Sequence, residues 1–233
     1  MNQQTPTTEF DTFGEQNFAN KPKQSKWDKI LNILLVAVLI VLVTTVVVKA
    51  FFVTNVVVSG DSMFPTFADG AVVSVDRNAT EKDVKRGDVV VFYLSNPTWL
   101  KRHFDFFPKM DGTNDEHRLL IKRVVATAGE QIWVEQVGGK YKVMVKTLDG
   151  QIVGEWYAPT GDNAKDESII DEKQFYISPY MLQRLASYTK DKPYTIPQGH
   201  FFAMGDNRDV SHDSRANDIG DVPYENLFGK VMH

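Results

Sequence analysis

Residues 119–130 read LLIKRVVATAGE, an apolar run that two adjacent cations, Lys122 and Arg123, interrupt. Its β-branched residues favour a β-strand, in which successive side chains point to opposite faces. Alternation puts Lys122 on the face of Leu120 and Val124, and Arg123 on the other face. Because a strand this apolar must be covered on at least one face, the run predicts the centre of a sheet in which only one of the two cations reaches solvent.

Shorter runs rich in Val, Phe and Tyr lie on both sides of this stretch, and each is bounded by Gly, Asp, Asn or Pro. Such runs with turn residues between them predict β-strands at Asn55–Val58, Ala71–Val75, Asp88–Leu94, Leu119–Ala126, Gln131–Val137, Lys140–Lys146 and His200–Met204. A single helix is predicted at Pro179–Tyr188, where Ser178 is a suitable N-cap. We therefore expect a mostly β fold.

Residues 138–197 differ from their flanks, since they contain several prolines, many aromatic residues and the polar run GDNAKDES. A stretch of about sixty residues without structure would be unusual in a compact domain. We therefore predict a smaller inserted subdomain at 138–197. It would divide a β-rich core that consists of 53–137 and 198–233.

Upstream of the strands, residues 30–48 read ILNILLVAVLIVLVTTVVV and carry no charge. A run of this length can span the hydrocarbon core of a bilayer as a helix. It shows no recurring polar face, and no small-residue cleavage site follows it as in a removable signal. We predict a transmembrane helix at 30–52 that follows a flexible tail at 1–29 and holds the chain in the lipid bilayer.

The charges that flank the apolar run predict its orientation. The residues before it include Lys21, Lys23, Lys26 and Lys29, whereas no Lys or Arg occurs between Lys49 and Arg77. Lys and Arg concentrate on the cytoplasmic side of membrane spans. We therefore predict a single-pass protein of the cell membrane with a cytoplasmic N-terminus and an extracytoplasmic core.

The composition of the 233-residue chain excludes several classes of function. Its net charge of −4 and pI near 5.7 argue against a general binder of nucleic acids, which needs a basic face. The absence of cysteine excludes disulfide scaffolds, thiolate zinc sites and a cysteine nucleophile. The five histidines show no paired ligand spacing, so we expect neither a metal nor a cofactor. The sequence gives no indication of oligomeric state.

The candidate nucleophile is Ser62 in SGDSMFPTF, residues 59–67, which we call the Ser62 loop. The Pro-Thr pair after it restricts the backbone, so the hydroxyl can be exposed where the chain leaves a strand. Gly-Asp-Ser is also ordinary turn sequence. If Lys122 is desolvated beside Ser62, it can lose its proton near neutral pH and remove the serine proton, because burial lowers lysine pKa values by up to about 3–5 units. The alternative is that both cations of the strand reach water along their methylene stems.

A further candidate segment is GDNRDVSHDSR, residues 205–215, which we call the ledge and which follows the predicted strand HFFAM. Its charged and hydroxyl side chains are typical of a turn-rich segment held together by hydrogen bonds and ion pairs. It offers Ser211 to orient a lysine amine. Asp213 and Arg215 are candidates for an ion pair that supports the ledge.

Together these segments resemble the bacterial type I signal peptidases, membrane-anchored serine proteases that remove signal peptides from exported proteins. The first two motifs, GDSMFPT and RGDVVVF at 86–92, are close to the family's Gly-x-Ser-Met-x-Pro-Thr and Arg-Gly-Asp boxes. IKRVVATAGE and GDNRDVSHDSR are close to its Lys-Arg box and its Gly-Asp-Asn-Arg box, and all four occur in the family's order. The single span and the short insert resemble the Gram-positive branch.

The resemblance implies a mostly β, signal-peptidase-type catalytic core with a smaller inserted subdomain, preceded by an N-terminal transmembrane helix. It implies a Ser-Lys dyad in which Ser62 is the nucleophile and Lys122 is the general base. Ser211 would position the lysine, and Asp213 with Arg215 would support the site. The implied reaction is cleavage of signal-peptide-bearing preproteins after small residues in an Ala-x-Ala pattern.

Three apolar residues near the dyad are candidates for the shallow pockets that would bind small substrate side chains: Met63, Phe67 and Ile121. The sequence departs from the family pattern at Gly60, where many Gram-negative members have a serine in the oxyanion hole. The oxyanion would then rest mainly on the Ser62 backbone N–H. A second departure lies at the end of the predicted strand Leu119–Ala126, which carries Lys122 and which we call the base strand. There the family usually reads Gly-x-Pro-Gly-Asp, whereas this chain has Ala126, Ala128, Gly129 and Glu130.

Two other interpretations compete with the Ser-Lys dyad. A Ser-His-Asp hydrolase would use Ser62, His212 and Asp213, but the adjacent His212 and Asp213 would have to fold back onto each other. A membrane-tethered, non-enzymatic export or assembly subunit would tolerate the loss of Ser62 or Lys122 without loss of function.

Overall fold

The computed structural model describes residues 25–97, 118–155 and 175–232, apart from the side chains of 48–51. It divides near Thr44 into two compact units, and each is described by itself. Most of the predicted tail at 1–29 lies outside the described residues, and so does the polar run at 161–168 of the predicted insert.

Helix α1 (Lys26–Phe52) begins upstream of the predicted start at Ile30 because Ser25 caps it. The Ser25 Oγ accepts a hydrogen bond from the Trp27 N–H at 3.3 Å, and the Asp28 carboxylate accepts one from the Ser25 N–H at 2.8 Å. An 18-residue window within Lys26–Val47 has a mean hydropathy of 3.0, and this segment is long and apolar enough to cross a membrane.

Eleven β-strands lie in the described part of the second unit. They are β1 (Val53–Val57), β2 (Val72–Asp76), β3 (Val89–Tyr93), β4 (Leu119–Thr127), β5 (Gln131–Val137), β6 (Lys140–Lys146), β7 (Ile152–Gly154), β8 (Tyr194–Thr195), β9 (His200–Met204), β10 (Val222–Pro223) and β11 (Leu227–Val231). All seven predicted strands are present, with small shifts at their ends. The prediction misses β7, β8 and β10, which are too short to show alternation, and also β11.

The strands form two antiparallel sheets. The larger has the order β1-β2-β11-β3-β4-β9-β10, and the smaller has the order β7-β6-β5-β8. The mostly β fold is therefore confirmed. Strand β5 pairs with β6 along its whole length, so the four-stranded sheet begins at Gln131, and a boundary at 138 would divide one hairpin.

Both faces of the seven-stranded sheet are covered at its centre. Val91 and Ile121 pack in one buried cluster, whereas Val90 and Leu120 pack in another on the opposite face. Every residue of β4 from Leu119 to Ala126 is buried. The expectation that one of the two cations reaches solvent is therefore wrong, since Lys122 is 3% and Arg123 is 5% exposed.

The pairing of β4 with β9 shifts register between Val124 and Ala126, near the end of β4 that precedes the four-stranded sheet. Val125 and Ala126 belong to a third buried cluster, together with Ile132 of β5 and Val143 of β6. A β-bulge redirects the side chains that follow it. The end of the base strand therefore packs against the four-stranded sheet.

The predicted helix at Pro179–Tyr188 is wrong as an α-helix. Two short 3₁₀ helices, Pro179–Met181 and Gln183–Ser187, occupy this segment. Gln183 has a φ of 50°, which interrupts the helical backbone between them. The apolar spacing nevertheless serves packing, because Leu182 and Leu185 are buried in the third cluster.

Strand β11, which the prediction misses, lies near the centre of the large sheet between β2 and β3. Gly229 interrupts its apolar pattern, and its pairing with β3 shifts register between Leu227 and Gly229. A Cβ at Gly229 would clash with the Asp76 carbonyl oxygen and with Val75. Close packing against β2 therefore requires Gly229, and this same glycine breaks the apolar pattern by which the strand could have been predicted.

Candidate active site

Three segments that are far apart in the sequence meet at β4. The Ser62 loop connects β1 to β2, Lys122 lies within β4, and the ledge follows β9. Because Arg123 pairs with Met204, the ledge leaves β9 at Gly205, beside Lys122. The Asn207 N–H donates a hydrogen bond to the Ser62 carbonyl at 3.0 Å, which joins the Ser62 loop to the ledge.

The Ser62 hydroxyl and the Lys122 amine are in direct contact. Lys122 Nζ lies 2.8 Å from Ser62 Oγ and donates a hydrogen bond to the Ile121 carbonyl at 2.8 Å. Ser62 is half-buried, whereas Lys122 is almost fully buried. When the amine is neutral it can accept the proton of the hydroxyl, because it can turn its single lone pair toward Oγ while an N–H still donates to the Ile121 carbonyl.

Burial lowers the pKa of the Lys122 amine from its usual 10.5 to about 8. Removing an ammonium group from water disfavours its charged form. The negative charge of Asp213 opposes this effect, and so does Asp206, while the positive charges of Arg118 and Arg215 reinforce it. At a pKa of about 8, roughly a tenth to a fifth of Lys122 is neutral between pH 7 and 7.4, far more than for a lysine with the usual pKa.

The predicted ion pair of the ledge is formed in full. Arg215 Nε lies 2.8 Å from Asp213 Oδ1, and Arg215 Nη2 lies 2.8 Å from Asp213 Oδ2. The guanidinium also donates to the carbonyls of Arg208, Ser211 and Met181 at 2.7, 3.1 and 3.1 Å. Burial opposes ionisation of Asp213, but the hydrogen bonds and charge of Arg215 outweigh it and lower the pKa of Asp213.

Ser211 is buried in the same region, but its hydroxyl forms no hydrogen bond with the lysine amine. Ser211 Oγ has no hydrogen-bond partner among the described residues, and the two partners of Lys122 are Ser62 Oγ and the Ile121 carbonyl. Gly205 separates Ser211 from the Ser62 loop, since a Cβ on Gly205 would clash with both Ser211 Oγ and the Ser62 carbonyl. The role of Ser211 as a positioning residue stays a prediction.

The sequence interpretation missed a second ion pair, which lies beside the dyad. Arg123 Nε and Nη2 lie 2.8 and 2.6 Å from the two carboxylate oxygens of Asp206, which is fully buried. Thr66 of the Ser62 loop donates its hydroxyl to the same carboxylate, and Arg123 Nη1 donates to the Gly87 carbonyl at 2.8 Å. Arg123 therefore ties the base strand to the ledge. The position of Arg123 next to Lys122 in an apolar strand was the sequence feature from which an ion pair could have been predicted.

A cleft of about 210 Å³ opens onto the dyad. Ser59–Ser62 line one part of it and Arg118–Lys122 another, and Val210 and His212 complete the lining. Of the three predicted substrate-binding residues, only Ile121 contributes to this cleft. Met63 is fully buried in the core, and Phe67 packs against the same cluster, because the loop turns their side chains away from Ser62.

The competing Ser-His-Asp arrangement is absent from the described residues. His212 Nε2 lies 2.8 Å from Asp218 Oδ2, and this pair is exposed. The Asp213 carboxylate accepts its hydrogen bonds from Arg215 and from the Gly205 N–H instead. His212 lines the cleft, but it is not oriented by Asp213.

Both departures from the family pattern are accommodated by tight turns. Gly60 has a φ of 82°, and its N–H donates to Asp69 Oδ1 at 2.7 Å, so this amide is not available to an oxyanion. After the base strand, the Glu130 N–H donates to the Thr127 carbonyl at 3.1 Å, with Gly129 at a φ of 83°. The Glu130 carboxylate in turn accepts the Thr127 N–H at 2.8 Å.

Two curated proteins and one solved structure are similar to this chain. Signal peptidase IB of Staphylococcus aureus (strain Mu50) is 25% identical over 198 residues, which cover 84% of this chain and 85% of that protein. Signal peptidase I of Pseudomonas aeruginosa is 29% identical over 215 residues, which cover 82% of this chain and 68% of that protein. A crystal structure of a signal peptidase I from Enterococcus faecalis V583 matches at 19% identity with a TM-score of 0.33, over 64% of this chain and 97% of that chain.

These relatives are peptidases, so a non-enzymatic export or assembly subunit is not favoured. The family described as signal peptidase, peptidase S26, matches residues 30–233, which include the apolar run, the Ser62 loop, the base strand and the ledge. The chain therefore belongs to the signal peptidase family, peptidase S26.

Proposed function

We propose that this protein cleaves signal peptides from exported preproteins after small residues in an Ala-x-Ala pattern. Ser62 is the nucleophile and Lys122 is the general base. The observation that carries the proposal is the 2.8 Å contact between Lys122 Nζ and Ser62 Oγ at a buried amine whose pKa burial lowers to about 8. A serine is a weak nucleophile unless a neighbouring base removes its proton as it attacks.

The first half of the reaction acylates Ser62. Lys122 accepts the hydroxyl proton while Oγ attacks the carbonyl carbon of the scissile bond. The Ser62 N–H, which donates no hydrogen bond among the described residues, is the candidate donor to the oxyanion. Lys122 then returns the proton to the leaving amine, and the peptide bond breaks. In the second half, Lys122 takes a proton from water as the water oxygen attacks the acyl carbon. The ester bond to Ser62 Oγ then breaks, Lys122 returns the proton to Oγ, and the signal peptide leaves with a free carboxylate.

The preprotein segment binds as an added strand. Strand β4 pairs with β3 over Leu119–Arg123 but with β9 only from Arg123 onward, so Leu119–Lys122 lack a strand on that side among the described residues. This free edge faces the Ser62 loop across the cleft. An extended peptide can hydrogen-bond to such an edge and place its carbonyl at Ser62. The small volume of the cleft favours small side chains near the scissile bond.

Helix α1 anchors the enzyme with its N-terminus in the cytoplasm. Lys26 and Lys29 lie at the start of the helix, and no Lys or Arg occurs between Lys49 and Arg77. This orientation leaves the catalytic residues on the extracytoplasmic side. A signal peptide spans the same bilayer and emerges on that side, so substrate and active site share one surface.

The test is cleavage of a purified preprotein with an Ala-x-Ala site by the full chain in detergent. We expect the wild type to release the mature protein, and Ser62→Ala and Lys122→Ala to release none at a comparable rate. Circular dichroism establishes that each variant is folded. Undiminished cleavage by either folded variant would refute the dyad. If the wild type itself cleaved no preprotein, a non-enzymatic role would be favoured.

A further inference from the structure

A buried ion pair connects the four-stranded sheet to the ledge. Glu155 directly follows β7, and its N–H donates to the Val143 carbonyl of β6 at 2.9 Å. Its carboxylate accepts hydrogen bonds from both Nη atoms of Arg208. Glu155 is 1% and Arg208 is 2% exposed, so neither charge is in contact with bulk water.

A second residue near the four-stranded sheet holds the same guanidinium. The Phe175 carbonyl accepts a hydrogen bond from Arg208 Nη1 at 3.1 Å, and the guanidinium carbon lies 4.9 Å from the centre of the Phe175 ring. Phe175 is fully buried, and two residues further along the chain the backbone of Ile177 pairs with Tyr141 of β6. The side chain of Arg208 is therefore fixed from the four-stranded sheet rather than from the ledge alone.

From Arg208 the contacts lead directly to the dyad. Arg208 Nε donates to the Gly205 carbonyl at 2.9 Å, and the Arg208 carbonyl accepts from Arg215 at 2.7 Å. The Gly205 N–H donates to Asp213 at 3.0 Å, so both sides of this glycine are held. Gly205 packs against the Ser62 carbonyl and Ser211 Oγ so closely that no Cβ would fit.

Removal of the carboxylate would disturb this arrangement because a buried guanidinium needs a counter-ion. Without the charge of Glu155, the two contacts between its carboxylate and the Arg208 guanidinium are lost, and a shift of this guanidinium weakens the hydrogen bond from Arg208 Nε to the Gly205 carbonyl. A displacement of about 1 Å in a reacting group can lower a rate by about 100-fold. The position of Gly205 relative to Ser62 therefore depends on a residue outside the catalytic motifs.

We propose that Glu155 and Arg208 are positioning residues through which the four-stranded sheet sets the place of Gly205 and hence the alignment of Ser62 with Lys122. This assigns a role in catalysis to the predicted insert. The inference rests on the proposed function, since its readout is the rate of preprotein cleavage.

The test compares Glu155→Gln with the wild type in the full chain, with kcat and KM measured for a preprotein substrate. We expect kcat to fall by roughly 10- to 100-fold with little change in KM, since Glu155 does not line the cleft. Glu155→Asp keeps the charge and should recover part of the loss. Thermal unfolding defines a temperature at which every variant is folded.

The matched control is Asp221→Asn. Asp221 pairs with Arg184 at 3.4 Å in a largely buried ion pair and accepts a hydrogen bond from the Tyr194 hydroxyl, and neither contact involves a ledge side chain. We expect this variant to lose stability and to keep the wild-type kcat. If folded Glu155→Gln keeps the wild-type kcat, or if Asp221→Asn lowers kcat equally, the positioning role is refuted. If the wild type itself cleaves no preprotein, the proposed function fails instead.

Discussion

Lys122 in the cleft and Arg215 in the ledge are both buried, at 3% and 0% exposure, but their surroundings differ. The Lys122 amine contacts one hydroxyl and one carbonyl, and no carboxylate lies within ion-pair distance of it among the described residues. Arg215 pairs with Asp213 through two parallel contacts and also reaches three carbonyls, so all five of its N–H groups are used.

This difference in surroundings gives the two cations different roles, Lys122 as a reactive base and Arg215 as a structural support. A buried cation without a direct counter-ion is easily deprotonated, and its neutral form can act as a base. A buried cation with a forked carboxylate stays charged and holds the backbone around it. The protein contains one group of each kind, and the positive charge of Arg215 further lowers the pKa of Lys122.

The largest expected effect is that of Lys122→Met on activity. We expect kcat/KM to fall by roughly 10²- to 10⁴-fold, the usual contribution of a general base. The free energy of unfolding should not decrease, because methionine fills the space without the cost of burying an ammonium group. Preprotein cleavage and denaturant unfolding in detergent measure the two quantities. Lys146→Met, at an exposed position of β6, is the control. A marked loss of stability in Lys122→Met would contradict the contrast.

The next largest effect concerns the ledge. Arg215→Met should lower the free energy of unfolding by about 3–5 kcal/mol, because Asp213 is left buried without its counter-ion. Denaturant unfolding measures the loss. In the double variant with Asp213→Asn, part of the stability should return, since no buried charge remains. A single variant that is as stable as the wild type would show that the ion pair does not hold the ledge.

The pH dependence of cleavage tests the state of Lys122. Since burial lowers its pKa to about 8, kcat/KM should rise about tenfold per pH unit below that value and level off above it. Stability should rise as well between about pH 8 and 10.5, because the unfolded chain there binds a proton that the folded protein has released. Lys122→Met should lack this rise. An activity that increases only above about pH 10 would mean that the amine is solvated.

The smallest expected effect is that of His212→Ala. His212 pairs with Asp218 at the exposed rim of the cleft rather than with Asp213. We expect kcat/KM to change less than about threefold, as for a rim contact without a part in proton transfer. The kinetic comparison is made at pH 6 and pH 8 to detect any histidine titration. Near-total loss in a folded variant would favour the Ser-His-Asp alternative.

Most of the secondary structure could be predicted from the sequence because its signals lie within short segments. Uncharged length defines helix α1, and β-branched runs between turn residues define the strands from β1 to β6 and β9. These signals act within a few residues, so no knowledge of the fold is needed. They fail where packing decides the local conformation. Gly229 disguises a central strand, and Gln183 breaks a segment with helical spacing into two 3₁₀ helices.

The site was predictable in its chemistry but not in its contacts. Lys122 stands out because it lies within an apolar strand, whereas Ser62 was singled out by the resemblance of its loop to a signal peptidase motif. Met63 and Phe67, by contrast, were assigned to the substrate pocket by adjacency alone, and the loop directs both into the core. Ser211 lies in the right region without the expected hydrogen bond.

The sequence by itself determined an apolar anchor, a β-rich core and the groups available for chemistry, because residue type and spacing express these directly. Only the tertiary structure decided which of these polar and charged groups contact each other. The pairs Ser62–Lys122, Arg123–Asp206 and Glu155–Arg208 join residues 60, 83 and 53 positions apart. The strand order brings these partners together and decides which cation is left without a carboxylate. Whether a cation has a carboxylate partner depends on burial and on distances between remote segments, so the sequence of one segment cannot reveal it.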